Sequence, residues 1–128
     1  MLGSTNIVAF VPITDAAKAR AFYEGVLGLK FVQDDGFALV FDANGIMIRA
    51  AKMKEVKPAQ FTVLGWQVSE IENVVRVLTG KGVRFEIFGY FKQDELGIWT
   101  APTGDKVAWF KDPDGNILSI SQHVQAIV

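Results

Sequence analysis

Short, largely apolar runs recur along the chain, a pattern typical of buried or half-buried β-strands. Turn residues (Gly, Pro, Asn or Asp) separate many of these runs. The pattern predicts strands over residues 6–13, 29–33, 37–41, 46–50, 60–68, 83–88, 107–110 and 117–121. Pro12 indicates that the first strand ends there or lies at a sheet edge, because proline cannot donate a ladder hydrogen bond.

Two other stretches have apolar residues at helical spacing. The first follows Thr14 or Asp15, either of which can cap a helix, and it ends at Gly28. The second follows residues 69–72, whose Ser-x-x-Glu form is that of a capping box, and Gly80 and Gly82 end it. The apolar stripes are Ala19, Phe22, Tyr23 and Val26 in the first helix, and Ile71, Val74, Val75 and Leu78 in the second.

The order of one strand, one helix and three strands therefore occurs twice, which predicts an internal repeat. We assign module one to residues 1–51, a polar linker to 52–59 and module two to 60–128. The second module is longer, and the extra length is assigned to an inserted loop, residues 89–103. At 128 residues the two modules together are expected to form one domain.

A tight turn is predicted between the last two strands, at Asp112-Pro113-Asp114-Gly115-Asn116. Pro113 presets φ for a corner position, Asp112 can accept a hydrogen bond from a backbone N–H two residues on, and Gly115 supplies a positive φ.

Composition narrows the class of protein. Half of the residues are apolar, but no run approaches the roughly 20 residues that span a bilayer, and no signal-peptide pattern is present. Cysteine is absent, which excludes disulfides and thiolate metal sites. The net charge of −1, without a basic run, argues against nucleic acid as a partner. We expect a cytoplasmic protein that binds neither membrane nor nucleic acid.

Two motifs in this order resemble the vicinal oxygen chelate superfamily, which includes glyoxalase I, extradiol dioxygenases and bleomycin-resistance proteins. They are Phe22-Tyr23-x-x-Val26-Leu27-Gly28-Leu29 in the first helix and the turn at residues 112–116. The resemblance covers nearly the whole chain. It implies an α+β fold of two βαβββ modules, in which curled mixed sheets surround a cavity and the helices lie outside. Homodimers are common in this family, and Pro12 marks an edge that a second copy can use.

Enzymes of this family hold a divalent metal at four positions, and the matching residues here are Val8, Arg49, Val63 and Ser119. Valine and arginine are not metal ligands, and a lone serine hydroxyl is a poor one. His123 is the only histidine, which excludes a two-histidine, one-carboxylate iron site. We therefore expect no metal and no other cofactor, as in the bleomycin-resistance branch. A displaced carboxylate site using Glu86, Asp94 or Glu95 is the alternative.

The inward positions of the strands give a largely apolar wall with a few polar groups, typical of a small-molecule pocket. Gly65 is expected to leave room where a side chain would intrude. The alternative is a cavity filled by side chains, with Met47 as filler. The candidate ligand-binding residues are Phe10, Met47, Arg49, Gln67, Tyr90, Trp99, Ser119 and Ser121.

Two features suggest an aromatic, anionic ligand. Arg49 can anchor a carboxylate through two hydrogen bonds; alternatively it pairs with Glu86 or extends past the end of its strand. In the inserted loop, Tyr90, Phe91 and Trp99 can stack on a flat ligand, or pack the loop down, or form a subunit contact.

Three functions remain open. The first is metal-free binding of a small molecule, which sequesters a drug or metabolite. The second is a metal-independent lyase or isomerase that uses Glu86, Tyr90 or Asp94 for acid–base chemistry. The third is a regulatory or interaction domain with a filled cavity. A serine nucleophile has no identifiable histidine–acid pair in the sequence, and His123 is assigned an exposed or structural role.

Overall fold

Two four-stranded mixed sheets organise the computed structural model, which describes residues 1–125. The first sheet has the order β1-β4-β3-β2 and contains β1 (Val8–Ile13), β2 (Lys30–Asp34), β3 (Ala38–Ala43) and β4 (Ile46–Lys52). The second has the order β5-β8-β7-β6 and contains β5 (Thr62–Gln67), β6 (Trp99–Thr100), β7 (Lys106–Lys111) and β8 (Ile117–Gln122). In each sheet one pair is parallel, β1 with β4 and β5 with β8, and the other pairs are antiparallel. The two-module α+β prediction is confirmed, and both sheets are open.

The first helix is capped as predicted, but it changes from an α-helix to a π-helix along its length. Asp15 is its N-cap, and its carboxylate accepts a 3.0 Å hydrogen bond from the Lys18 backbone N–H. The α-helical part, α1, is Ala16–Arg20, and a π-helical segment, Ala21–Val26, continues it. Gly28 ends the segment with a φ of 77°, as expected for a C-terminal glycine.

The second helix, α2 (Ile71–Gly80), is not capped by the predicted box. Its N-cap is Glu70, whose side chain makes no capping hydrogen bond. The backbone N–H of Ile71 instead donates to the side-chain oxygen of Gln122 at 2.9 Å. A residue of β8 therefore satisfies this helix end. Neither described helix is long and apolar enough to cross a membrane.

The predicted strand over residues 83–88 is wrong. Phe85 forms only an isolated bridge with Phe110, although the Glu86 N–H also donates to the Trp109 carbonyl. β6, from the inserted loop, pairs with the other end of the same β7 edge. Two segments share one edge, and neither has room for a full-length strand.

The chain divides into two compact units, which we describe separately. Unit one contains Met1–Pro58 and the turn Asp112–Asn116; unit two contains Ala59–Lys111 and the chain from Ile117 onward. The last three residues of the predicted module two, 126–128, lie outside the described part of the chain.

Each unit has its own apolar core, formed by strand residues and a helix. In unit one, Tyr23 packs edge-on against Phe22 and at a tilt against Phe41, with ring centroids 5.3 and 5.7 Å away. In unit two, Phe85 packs edge-on against Phe110, with centroids 5.5 Å apart. Fully buried side chains include Val11, Ile13, Tyr23 and Phe41 in unit one, and Ile71, Val75, Phe110 and Leu118 in unit two.

The turn at 112–116 is a buried polar network within unit one. Asp112 accepts hydrogen bonds from the backbone N–H groups of Asp114 and Asn116 and from the Asn116 amide, at 2.9–3.0 Å. The Asn116 amide also donates to the Pro12 carbonyl at 2.8 Å, and the Thr14 hydroxyl donates to Asp114 at 2.6 Å. Gly115 has the positive φ that was predicted, 85°. These bonds fix the turn against β1.

Candidate functional site

Side chains at the four family metal positions do not suit a divalent cation. Val8 lies on β1, Arg49 on β4, Val63 at a bulge in the pairing of β5 with β8, and Ser119 on β8. Valine has no donor atom, a guanidinium is itself a cation, and a neutral hydroxyl is a weak ligand. These residues therefore do not fit the metal. Within residues 1–125, no cluster of three or more His, Asp or Glu side chains is placed to substitute for them, including the carboxylates considered above.

Arg49 forms an ion pair with Asp35 in unit one. Its Nη2 atom lies 2.6 Å from Asp35 Oδ2, and the two side chains are 26% and 28% exposed. The hydrogen bond from Arg49, together with two backbone N–H groups, lowers the pKa of Asp35 to about 2. Glu86 instead lies 3.6 Å from Lys111, so the alternative pairing of Arg49 with Glu86 is wrong. An anionic ligand at Arg49 would compete with Asp35.

One face of the first sheet is exposed along β1 and part of β4 in unit one, whereas Val40 of β3 on the same face is buried. We call the exposed part the open face and define it by Val8, Phe10, Met47 and Arg49. Strand register pairs Val8 with Met47 and Phe10 with Arg49. Phe10 is 62% exposed and Met47 is 42% exposed. A pocket of about 400 Å³ adjoins the Val8–Met47 end, and Val40 also lines it. The open face thus combines exposed apolar surface with one paired cation.

Five aromatic side chains of unit two form a second surface, which we call the aromatic cluster: Phe88, Tyr90, Phe91, Trp99 and Trp109. Phe91 stacks parallel to Trp109, with centroids 5.0 Å apart and an interplanar angle of 3°. Its ring also lies 4.6 Å from Trp99 and 4.7 Å from Tyr90. Phe88 stacks on Tyr90, which is 77% exposed. Phe91 is therefore enclosed by rings on several sides.

Gln93 holds the inserted loop in this position. Its side-chain oxygen accepts from the Phe88 N–H at 2.7 Å, and its amide donates to the carbonyls of Glu86 and Gly97 at 2.9 and 2.8 Å. Asp94 accepts from the backbone N–H groups of Leu96 and Ile98, both at 2.9 Å. These contacts hold the loop against the sheet, where Phe91 stacks on Trp109.

The predicted polar wall residues of unit two share the sheet face of Trp109. Register places Ser119 between Gly65 and Trp109, and Ser121 beside Gln67. Gly65 does not leave open space, because a Cβ there would lie 2.5 Å from the Ser119 hydroxyl oxygen. The space left by the missing side chain at Gly65 is taken by the Ser119 hydroxyl, and not by a ligand.

The eight predicted ligand-binding residues thus fall into two groups, one in each unit. Phe10, Met47 and Arg49 belong to the open face of unit one. Gln67, Ser119 and Ser121 lie on the Trp109 face of unit two, and Tyr90 and Trp99 belong to the aromatic cluster.

His123 contacts both a serine and a carboxylate, contrary to the expectation that no serine has such a pair. The Ser121 hydroxyl oxygen lies 2.9 Å from His123 Nε2, and His123 Nδ1 lies 3.3 Å from Asp105 Oδ2. The expectation failed because Asp105 is distant in sequence and reaches His123 across the β7–β8 hairpin.

The residues considered for acid–base chemistry hold structural contacts. Glu86 faces Lys111, Asp94 caps the loop at Leu96 and Ile98, and Tyr90 packs on the aromatic cluster.

Sequence reasoning missed Trp109, Phe88 and Asp105 as members of these surfaces. Trp109 was detectable, because residues at alternate positions of β7 share a face and Trp109 pairs with Ser119. Phe88 was assigned to a strand that does not form, so its approach to the loop aromatics had no signal in the sequence.

Several solved structures have the same fold over nearly their whole length. A bleomycin resistance determinant encoded on the transposon Tn5 has a TM-score of 0.74 at 20% identity, covering 95% of this chain and 100% of that one. An antibiotic-binding protein from Streptomyces has a TM-score of 0.71 at 20% identity, covering 94% and 96%. A lactoylglutathione lyase from Agrobacterium tumefaciens has a TM-score of 0.72 at 16% identity, covering 93% of each chain. At these identities the likeness shows the fold.

Among curated proteins, none matches this sequence. A family model, described as the Glyoxalase/Bleomycin resistance protein/Dioxygenase superfamily, matches residues 6–120 and so covers most of the chain. The chain belongs to the Glyoxalase/Bleomycin resistance protein/Dioxygenase superfamily.

Proposed function

We propose that the protein binds a flat aromatic small molecule at the aromatic cluster, without a metal ion, and sequesters it. The observation that carries this proposal is the parallel stacking of Phe91 on Trp109, at 5.0 Å and 3°. This is the arrangement that an aromatic ligand ring would adopt on an indole. Phe91 thus occupies the place of a ligand.

A bound ligand would have to replace the ring contacts that Phe91 makes. An aromatic pair contributes about 0.5–1.5 kcal/mol beyond its buried area, and a ligand with several fused rings would replace these contacts with more of the same kind. The loop that carries Phe91 is held by the Gln93 and Asp94 side chains and by the ring contacts of Phe91 itself. In the proposed complex the Phe91 ring moves aside and the ligand takes over its ring contacts.

The comparisons support small-molecule binding on this scaffold. Two proteins with the same fold are described as a bleomycin resistance determinant and an antibiotic-binding protein. The side chains at the family metal positions favour a metal-free mode, and the structural contacts of Glu86 and Asp94 favour binding over a lyase or isomerase reaction. A drug or metabolite with fused aromatic rings is the ligand class that we propose.

A second copy of the chain is the partner that we propose for the open face. Phe10, Val8 and Met47 are 62%, 42% and 42% exposed, and exposed apolar groups of this size favour association. β1 is an edge strand of its sheet, as Pro12 predicted. A homodimer would cover this surface.

Binding is tested with two fluorescent probes of similar shape, anthracene carboxylate and the neutral anthracenemethanol. Replacing Trp109 by Leu removes the stacking surface and should weaken both probes about tenfold or more, the usual scale for one aromatic stacking contact. Phe91→Ala vacates the stacking position and should strengthen both. Phe61→Ala is the matched control, because Phe61 is 68% exposed and outside the aromatic cluster. Equal affinities for wild type and Trp109→Leu would contradict the proposal.

Anion binding at the open face is a separate question, because Arg49 belongs to unit one and the aromatic cluster to unit two. It is tested with benzoate and the neutral benzyl alcohol. Arg49→Met keeps the apolar stem and removes the charge and the five N–H donors. If Arg49 anchors an anion, benzoate binding should weaken about ten- to a hundredfold, while benzyl alcohol binding changes far less. Equal losses for both compounds would show that Arg49 acts only through folding.

A further inference from the structure

We propose that Ser121, His123 and Asp105 form a nucleophilic site that accepts an acyl group from small aryl esters. The Ser121 hydroxyl oxygen lies 2.9 Å from His123 Nε2, and His123 Nδ1 lies 3.3 Å from Asp105 Oδ2. This is the order of contacts, hydroxyl to imidazole to carboxylate, that activates a serine for acyl transfer.

The local fold brings the three side chains together. Side chains two residues apart along an extended chain point to the same side, which aligns Ser121 with His123. The pairing of Lys106 with Gln122 ends the β7–β8 ladder, so Asp105 lies across from His123 just beyond it. The hairpin register therefore positions the carboxylate.

The hydrogen bonds define where the protons lie. Asp105 Oδ1 accepts a 2.9 Å hydrogen bond from the Val124 N–H, which leaves Oδ2 for His123. The Val124 N–H, and after it His123, lowers the pKa of Asp105, so this group is an ionised acceptor at neutral pH. A carboxylate can only accept, so Nδ1 of a neutral His123 carries the proton and Nε2 accepts from the Ser121 hydroxyl. The serine proton is thus directed at the base.

A substrate can reach this site. The side chains of His123 and Asp105 are 27% and 30% exposed, and Ser121 is half-buried. Gln67 is next to Ser121 in register and is exposed, so its amide is available to donate to the oxyanion of a tetrahedral intermediate. Val107 pairs with both Ser121 and Trp99, which places the aromatic cluster on the same sheet face. The preference for aryl esters rests on the proposed aromatic binding. The assignment of Ser121 as the nucleophile is independent of that proposal.

The reaction balances with water as the only co-reactant. The Ser121 oxygen attacks the ester carbonyl carbon while its proton moves to His123 Nε2, giving a tetrahedral oxyanion. The bond between this carbon and the aryl oxygen then breaks, and the proton on Nε2 leaves with the phenol. Water, deprotonated by Nε2, attacks the acyl-serine; its hydroxyl becomes part of the released acid, and the proton returns to Ser121. Asp105 is a positioning residue that holds the imidazole.

The test mixes the protein with p-nitrophenyl acetate, follows p-nitrophenolate release and quenches the reaction with acid during turnover, so that the acyl-serine is retained for peptide mass spectrometry. We expect acetylation at Ser121, and Ser121→Ala should abolish it. His123→Gln should lower the acylation rate about a hundredfold, the scale of a lost general base. Asp105→Asn should lose most of the rate, whereas Asp105→Glu retains part of it. Ser69→Ala, which changes an exposed serine outside the site, should behave as wild type.

Each result decides one question. Acetylation confined to surface lysines, or an unchanged rate in Ser121→Ala with an unchanged melting temperature, would overturn the nucleophile. Mapping on the unaltered protein keeps the test valid even where a variant does not fold. Retained anthracene binding without Ser121 acetylation would contradict this inference alone. Ser121 acetylation without anthracene binding would contradict only the proposed aromatic binding.

Discussion

The Tyr23 hydroxyl donates a 2.7 Å hydrogen bond to the carboxylate of Asp112, which lies 89 residues further along the chain. Both side chains are buried. The two motifs on which the family resemblance rests are thus physically connected within unit one. Burial, reinforced by the carboxylate of Asp112, raises the pKa of Tyr23 far above its ordinary value. Tyr23 therefore remains a hydrogen-bond donor throughout the physiological pH range.

Tyr23→Phe removes this donor without changing the ring. Because a hydrogen bond to a charged group contributes about 1.5–3 kcal/mol, we expect the free energy of unfolding to fall by that amount. Urea denaturation followed by circular dichroism measures it. Tyr90→Phe is the matched control, since Tyr90 is 77% exposed, and its stability should be unchanged. A Tyr23→Phe variant as stable as wild type would show that the Asn116 amide and the backbone N–H groups of Asp114 and Asn116 satisfy Asp112 without Tyr23.

Gly65→Ala tests the close approach of β5 to Ser119. The added methyl would lie 2.5 Å from the Ser119 hydroxyl oxygen, so the side chain must rotate or the strands must separate. We expect a loss of about 1–3 kcal/mol, as for overpacking elsewhere. Adding Ser119→Ala removes the clashing atom and should restore part of the loss. Additive effects of the two substitutions in denaturant unfolding would contradict the steric explanation.

Asp35 makes the stability of unit one depend on pH in the acid range. Its pKa is lowered from 3.8 to about 2 in the folded protein, chiefly by the hydrogen bond from Arg49. Its contribution to stability is therefore complete above the unfolded value and is lost as the pH falls through about 2. Asp35→Asn should lower the melting temperature at pH 7, and its difference from wild type should shrink as the pH falls below about 4.

The control for this experiment is Glu55→Gln. Glu55 lies 3.8 Å from Lys57 in a pair that is 72% and 88% exposed. Such an exposed pair contributes little to stability, so the melting temperature of the Glu55→Gln variant should match that of wild type at every pH. A difference between Asp35→Asn and wild type that stays constant down to pH 2 would rule out the Arg49 pair as its source.

Phe10→Glu tests the proposed homodimer. A carboxylate on the open face would lose its hydration in the dimer, and its register neighbour Arg49 is already paired with Asp35, so association is disfavoured. Wild type should sediment as a dimer at tens of micromolar, and Phe10→Glu as a folded monomer. Val77→Glu alters an apolar residue of α2 that is 58% exposed, and should leave the dimer intact. Sedimentation of the wild type as a monomer would refute the proposal.

The strands were predictable because short apolar runs separated by turn residues recur along the sequence. Strict alternation was not needed, since four consecutive residues of β3, Ala38 to Phe41, are buried. The caps at Asp15 and Gly28 were also predictable, since both depend on neighbouring residues alone. The capping of α2 by Gln122 was not, because the partner comes from another strand. Competition between residues 83–88 and β6 for one edge of β7 likewise has no local signal.

The site was predictable only in part, for a similar reason. Strand register placed Ser119 and Ser121 on one face in advance, whereas Trp99 was expected in the inserted loop and was found on that face only through its pairing with Val107. The contact of His123 with Asp105 depends on the hairpin register, and the pairing of Arg49 with Asp35 depends on how the turn before β3 folds back. Alternation indicates which face a side chain is on, but not which neighbour it reaches.

The membership of Asp112–Asn116 in unit one has a consequence for how the protein is made. During synthesis, β1 and Tyr23 leave the ribosome long before the turn that supplies Asp112 and Asn116. Until then the Tyr23 hydroxyl and the Pro12 carbonyl lack the partners that they have in the finished fold. A nascent chain halted before residue 112 should thus hold its first sheet weakly, and become resistant to protease only after the turn emerges.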